Sequence, residues 1–125
     1  MTEPRQLDTR RVVVIGPCAS GKTSLTTRLR ALGYDARACG QEHSEIHGLW
    51  QHLNPDVLIG LHIDLETLRR RRSASWSDRI YERQIERLRT GFERADLVID
   101  CASIDQEAVA RQVIGWLEQH PAARR

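Results

Sequence analysis

Lysine is almost missing from this chain. Of its 19 basic residues 18 are arginine, and Lys22 is the single exception. Cysteine is sparse and odd in number, with Cys18, Cys39 and Cys101 in no CxxC arrangement. That argues against a disulfide framework or a cysteine zinc site and fits a reducing compartment. No apolar run approaches the roughly 20 residues that a membrane span needs. The start, MTEPRQLDTR, is polar where a leader would be charged and then apolar, so a cytoplasmic protein is expected, with no membrane partner. The net charge of +2 is too small to imply a nucleic-acid partner by itself. What remains is 125 residues, 40% apolar and 29% charged, enough for one domain over 1–125 with one buried core behind a polar tail at 1–10.

Arg11 to Ile15 is a continuous β-branched run ending at Gly16, the pattern of a strand buried on both faces. Residues 22–32 follow as a helix with Leu25, Leu29 and Leu32 at helical spacing and Gly33 as its stop. Tyr34 to Cys39 predicts a second strand, and Val57 to Ile63 the next. Between them Ile46, Leu49, Trp50 and Leu53 recur at i, i+3, i+4 and i+7, which predicts an amphipathic helix over 45–53. Helices are further expected over 65–72 and 78–94, the second carrying a stripe of Tyr81, Ile85, Leu88 and Phe92. Leu97 to Ile99 is a last strand, and Ser103 with Gln106 forms a capping box for a final helix closed by His120-Pro121. Strands alternating with helices imply parallel βαβ units. The expected fold is therefore α/β, a three-layer α/β/α sandwich around a mostly parallel sheet of about four strands.

Gly16-Pro17-Cys18-Ala19-Ser20-Gly21-Lys22-Thr23 matches GxxxxGK followed by Ser or Thr, set between a predicted strand and a predicted helix, the context this phosphate-loop motif requires. Its two glycines let consecutive N–H groups point at a phosphate with the positive end of a helix dipole behind them. Lys22 supplies a compact point charge that a guanidinium fork would not replace, and Thr23 offers a hydroxyl to Mg²⁺. The candidate cofactor-binding set is Gly16, Pro17, Cys18, Ala19, Ser20, Gly21, Lys22, Thr23 and Ser24, with ATP and Mg²⁺ as the cofactors.

At these residues the chain resembles the P-loop kinases of the adenylate kinase and shikimate kinase type. The resemblance covers the strand, loop and helix of 11–32, the strand and helix of 57–72, and the closing strand and helix of 97–118. It implies that the arginine-rich stretch from Arg69 forms a lid over the triphosphate, 69–78, with Arg71 and Arg72 as catalytic candidates. It also implies that the loop after Asp100 borders adenine, which adds Ala102 and Ser103 to the nucleotide contacts. The chain departs from those kinases at one place: only Gly33 and Tyr34 separate helix from strand where they insert an acceptor-binding segment, so the acceptor site stays unassigned.

Two acids compete for the Mg²⁺ role, Glu42 just beyond the second strand and Asp64 at the end of the third. By the resemblance the second strand lies beside the phosphate-loop strand, which favours Glu42; Asp64 also reads as a helix cap. Residues 69–94 hold nine arginines against Asp78, Glu82, Glu86 and Glu93, and pairs such as Arg79 with Glu82, Arg83 with Glu86 and Glu86 with Arg89 would give a solvated helix face. A nucleic-acid surface lacks aromatic interleaving beyond Trp76. His43 and His47 with Glu42 and Glu45 fall short of a zinc motif, since HSEIH is not HExxH and no third ligand is evident. The leading expectation is a small kinase that transfers the γ-phosphoryl group of Mg-ATP to a small-molecule acceptor, with Lys22, Glu42, Arg71 and Arg72 as catalytic residues. Alternatives are a regulatory NTPase, against whose guanine-specific form the lack of NKxD stands, and a non-catalytic nucleotide-binding module.

Overall fold

A computed structural model of the chain describes residues 8–121, so most of the expected tail lies outside the described residues. The part within them is tied down. Arg10 pairs with Asp8 at 2.7 Å and donates to the Leu117 carbonyl at 3.0 Å, clasping the end of the last helix.

Four strands form one parallel sheet in the order β2-β1-β3-β4: β1 Arg11–Ile15, β2 Asp35–Ala38, β3 Val57–His62 and β4 Leu97–Asp100. The central strand is β1, and its Val12, Val13, Val14 and Ile15 are all fully buried. Alternation sorts these side chains between two cores. Val12 and Val14, with Val57, Ile59 and Leu61, meet Leu25 and Leu29 of α1 (Lys22–Ala31) and Val109, Val113 and Leu117 of α4 (Gln106–Gln119). Val13 and Ile15, with Leu58, meet Trp50 and Leu88, the latter on α3 (Asp78–Arg94). Helices on both faces of a parallel sheet make this an α/β fold of three layers. Among the described residues, no helix is long and apolar enough to cross a membrane.

Helix α1 ends in a Schellman turn: Gly33 sits at φ 95°, its N–H bonds the Arg30 carbonyl at 2.9 Å, and the Tyr34 N–H bonds the Leu29 carbonyl at 3.1 Å. The chain therefore enters β2 three residues after α1. Helix α3 approaches the sheet more closely than its apolar stripe suggests. Its fully covered positions are Gln84, Leu88 and Gly91, while Ile85 is half-buried. A Cβ on Gly91 would press on Ile15 Cδ1, and one on Gly60 of β3 would lie 2.5 Å from Phe92 Cε1.

Two expected features differ. Residues 45–53 form no α-helix; the segment holds a 3₁₀ turn at Leu49–Leu53 and is preceded by another at Gln41–His43. The cause is Gln41, fully buried, whose amide donates to the Ile46 carbonyl at 2.7 Å and accepts from the Trp50 N–H at 3.1 Å. Those two groups are thereby diverted from a helical ladder. The cap of α4 is Asp105, which accepts from the Ala108 N–H at 2.8 Å, two residues later than the cap expected at Ser103.

Candidate functional site

The loop Gly16–Gly21 leaves the carboxyl end of β1 and feeds α1, so it lies on the strand edge where open α/β sheets place ligands. Gly21, at φ 98°, is the N-cap of α1 and supplies no side-chain cap, so the first-turn N–H groups have no side chain folded over them. Ala19 adopts φ 64°, a left-handed conformation that costs about 1–3 kcal/mol for a residue with a Cβ and tends to cluster at functional sites. Gly16 has no room for a side chain, since a Cβ there would lie 2.5 Å from the Leu61 carbonyl oxygen.

Lys22 folds back over this loop. Its ammonium donates to the Gly16 carbonyl at 2.7 Å and forms an ion pair with Glu42. Glu42 reaches it because β2 pairs directly with β1, in register Val14↔Ala38, so the chain after β2 emerges beside the loop. Its carboxylate is 4% exposed, and among the described residues its Oε1 has no hydrogen-bond partner. A buried carboxylate oxygen without a donor is expensive unless something else completes it.

Helix α3 braces both halves of the site. Gln84 accepts from the Cys18 N–H at 3.0 Å and brings its amide nitrogen to 3.2 Å from Cys18 Sγ. One turn on, Arg87 donates to the Glu42 carbonyl at 3.2 Å and pairs with Glu45, whose carboxyl is held below its usual range by that guanidinium. Neither residue was singled out by its sequence context. The signal available was a glutamine falling at a core-facing position, one turn before Leu88.

A cleft of about 1060 Å³ joins these groups, comparable to the largest ligand pockets of ordinary size. Cys18 to Ser24 form its floor, with Glu42 and His43 on one side and Arg71 and Arg72 on another. Arg28 also lines it, as do Asp105, Gln106 and Glu107 around the α4 start, where Gln106 accepts from the Ser24 hydroxyl at 2.9 Å. Ala102 and Ser103 are not among the residues lining this cleft. They lie just before that wall, and the Ala102 N–H bonds Asp100 at 3.1 Å.

The arginines divide. Arg71, on α2 (Leu65–Arg71), donates to the Ala19 carbonyl at 2.8 Å and the Cys101 carbonyl at 3.0 Å, so it bridges the glycine loop to the end of β4. Arg69 turns away to the Trp76 carbonyl at 3.0 Å and an ion pair with Asp78. Of the three pairs expected along α3, Arg89 with Glu86 is in place at 3.1 Å. Asp64 is not part of the cleft lining. It caps α2 by accepting from the Thr67 N–H at 2.7 Å, and contacts with Thr67 hold its carboxyl below the usual range. The structure thus brings Glu42, and not Asp64, to Lys22.

No family model matches the chain, and no curated protein matches it. Solved structures do, and one is the YorR protein from Bacillus subtilis in complex with phosphorylated GDP. The match covers 90% of this chain and 99% of that one at a TM-score of 0.61, with 14% sequence identity. The two chains share a fold. That likeness accounts for the layers and the parallel sheet; at such an identity the residues of the site have to be argued from their own chemistry.

Proposed function

We propose that this chain binds a nucleoside triphosphate, ATP, with Mg²⁺ on the loop 16–23, and that it transfers the γ-phosphoryl group to a small-molecule acceptor. The observation that carries the reading is the Lys22–Glu42 pair, a cation and a buried acid with one unpartnered oxygen, set at the start of an uncapped helix. The Gly16–Thr23 motif and a structural neighbour holding a phosphorylated guanine nucleotide support it. The neighbour's base does not fix the base used here.

The donor set fits Mg²⁺: the Thr23 hydroxyl and the Glu42 carboxylate are hard oxygen ligands, and Glu42 Oε1 is the buried oxygen in need of a partner. When bound, the ion neutralises phosphate charge. The chain's own part is positioning and electrostatics. Loop N–H groups and the α1 dipole hold the phosphates, and Lys22 exchanges its Gly16 carbonyl for phosphate oxygens. Arg71 and Arg72 add charge from the opposite wall, where a lid over 69–78 would exclude water. A regulatory or non-catalytic nucleotide-binding protein is the second reading. The short α1–β2 link favours it, because it leaves no segment there for an acceptor. The three free cysteines fit a cytoplasmic setting for either.

Calorimetry with Mg-ATP tests the site. Lys22→Ala is expected to weaken binding by more than about 2 kcal/mol, the scale of a charge-assisted contact. An unchanged affinity overturns the reading. Turnover with candidate acceptors then separates kinase from binding module: Glu42→Gln abolishes it while Asp64→Asn retains it, and the reverse pattern reassigns the acid.

A further inference from the structure

We propose that Cys18, Glu42 and His43 form a binding site for a zinc-like transition-metal ion, which shares Glu42 with the Mg²⁺ position and therefore competes with Mg²⁺ for it. Their ligand atoms all lie within 4.8 Å of one another. Cys18 Sγ is 3.6 Å from His43 Nε2, and His43 Nε2 is 3.8 Å from Glu42 Oε2. Tetrahedral zinc with bonds of about 2.3 Å to sulfur and about 2.0–2.2 Å to nitrogen and oxygen sets its ligands about 3.4–3.6 Å apart. Those two separations therefore need to close by only a few tenths of an ångström, and the one between Cys18 and Glu42, within 4.8 Å, by up to about 1.3 Å.

Three further observations point the same way. The carboxylate is buried; its Oε2 faces both Lys22 and the imidazole, while its Oε1 has no hydrogen-bond partner among the described residues, so a cation on this carboxylate satisfies a group that is otherwise costly. The sulfur already has an orienting neighbour in the Gln84 amide at 3.2 Å, the outer-sphere contact that fixes a ligand's direction. His43 is 64% exposed, so an ion and a solvent ligand for the fourth position have access. A thiolate and a carboxylate together neutralise a divalent ion, the Cys18 proton passing to solvent. Lys22 keeps its bond to the Gly16 carbonyl. A thiolate with an imidazole selects zinc or cobalt over magnesium. The third ligand, absent from the HSEIH segment, comes from a loop 25 residues before its first histidine. The site does not depend on the nucleotide reading.

Titration of the full-length protein with Co²⁺ alone, without nucleotide, tests it. One equivalent is expected to give the intense visible bands of tetrahedral cobalt and a near-ultraviolet thiolate charge-transfer band, and Zn²⁺ should bleach both. Cys18→Ser removes the charge-transfer band. His43→Gln weakens Zn²⁺ at least about tenfold, the lower end of what loss of even an outer-sphere partner costs. His47→Ala, outside the cluster, leaves the spectrum unchanged. Should Cys18→Ser unfold, the exposed His43 variant carries the test alone. A weak octahedral spectrum, or a thiolate band that survives Cys18→Ser or is indifferent to His43→Gln, overturns the site.

Discussion

Lys22 and Glu42 form an ion pair between the first residue of α1 and the turn that follows β2, with the lysine side chain 14% and the glutamate 4% exposed. Removing one member leaves the other charge without its partner in a poorly solvated place. Lys22→Ala is therefore expected to destabilise the fold by about 3 kcal/mol, and Lys22→Ala with Glu42→Gln by clearly less. Urea denaturation of the two variants decides this; a double variant weaker than Lys22→Ala alone would refute the coupling.

Asp64 works as a helix cap, which gives its removal a pH signature. Hydrogen bonding from Thr67 holds its carboxyl below the usual range. The stabilisation is thus present above the unfolded-state value of about 3.9 and is lost as the pH falls through the lower folded-state value. Asp64→Ala should cost about 1 kcal/mol at neutral pH. Denaturation series for wild type and variant should converge in acid, and a constant gap down to the lowest pH would contradict the assignment.

The three thiols should react in a fixed order. Burial pushes Cys39 up and Cys101 up to about 11, so both stay protonated at pH 8, while Cys18 is half-buried on the loop. Iodoacetamide on the native protein is expected to label Cys18 first, and the other two only after denaturation, since the thiolate is the nucleophile. Mass spectrometry of the labelled peptides reads this directly. Early labelling of Cys101 would mean that the end of β4 opens far more readily than its burial implies.

Gly91→Ala should destabilise even though alanine is the better helix former. The gain in helix propensity is about 1 kcal/mol. The new methyl, however, meets Ile15 Cδ1 in the centre of the sheet, and such overpacking costs about 1–3 kcal/mol. Adding Ile15→Val removes the colliding carbon and should recover part of the loss. Thermal melts of the single and double variants check both steps.

The parts legible in the sequence were those set by local pattern. The apolar β-branched runs at 11–15 and 57–62 specify buried strands, and the Gly-rich turn between strand and helix marks the loop. What escaped depends on contacts between distant residues. The helical spacing of Ile46, Leu49, Trp50 and Leu53 was real, but one buried amide at Gln41 captured the backbone groups that an α-helix would have used. The pair of Arg69 with Asp78 spans nine residues, beyond the helical spacings at which pairs are read from sequence. Cys18 and His43 are 25 residues apart and meet only because β2 lies against β1.

Gln41 has one more implication. The acid at Glu42 stands on a single 3₁₀ turn braced by two side chains, the Gln41 amide from within and the Arg87 guanidinium from α3. A regular helix would lock such a residue through many equivalent bonds, so that no single exchange could re-aim it. Here the carboxylate's bearing is adjustable at positions 41 and 87 while the carboxylate itself remains chemically intact. The site can be retuned by changing its mounting rather than its reactive groups.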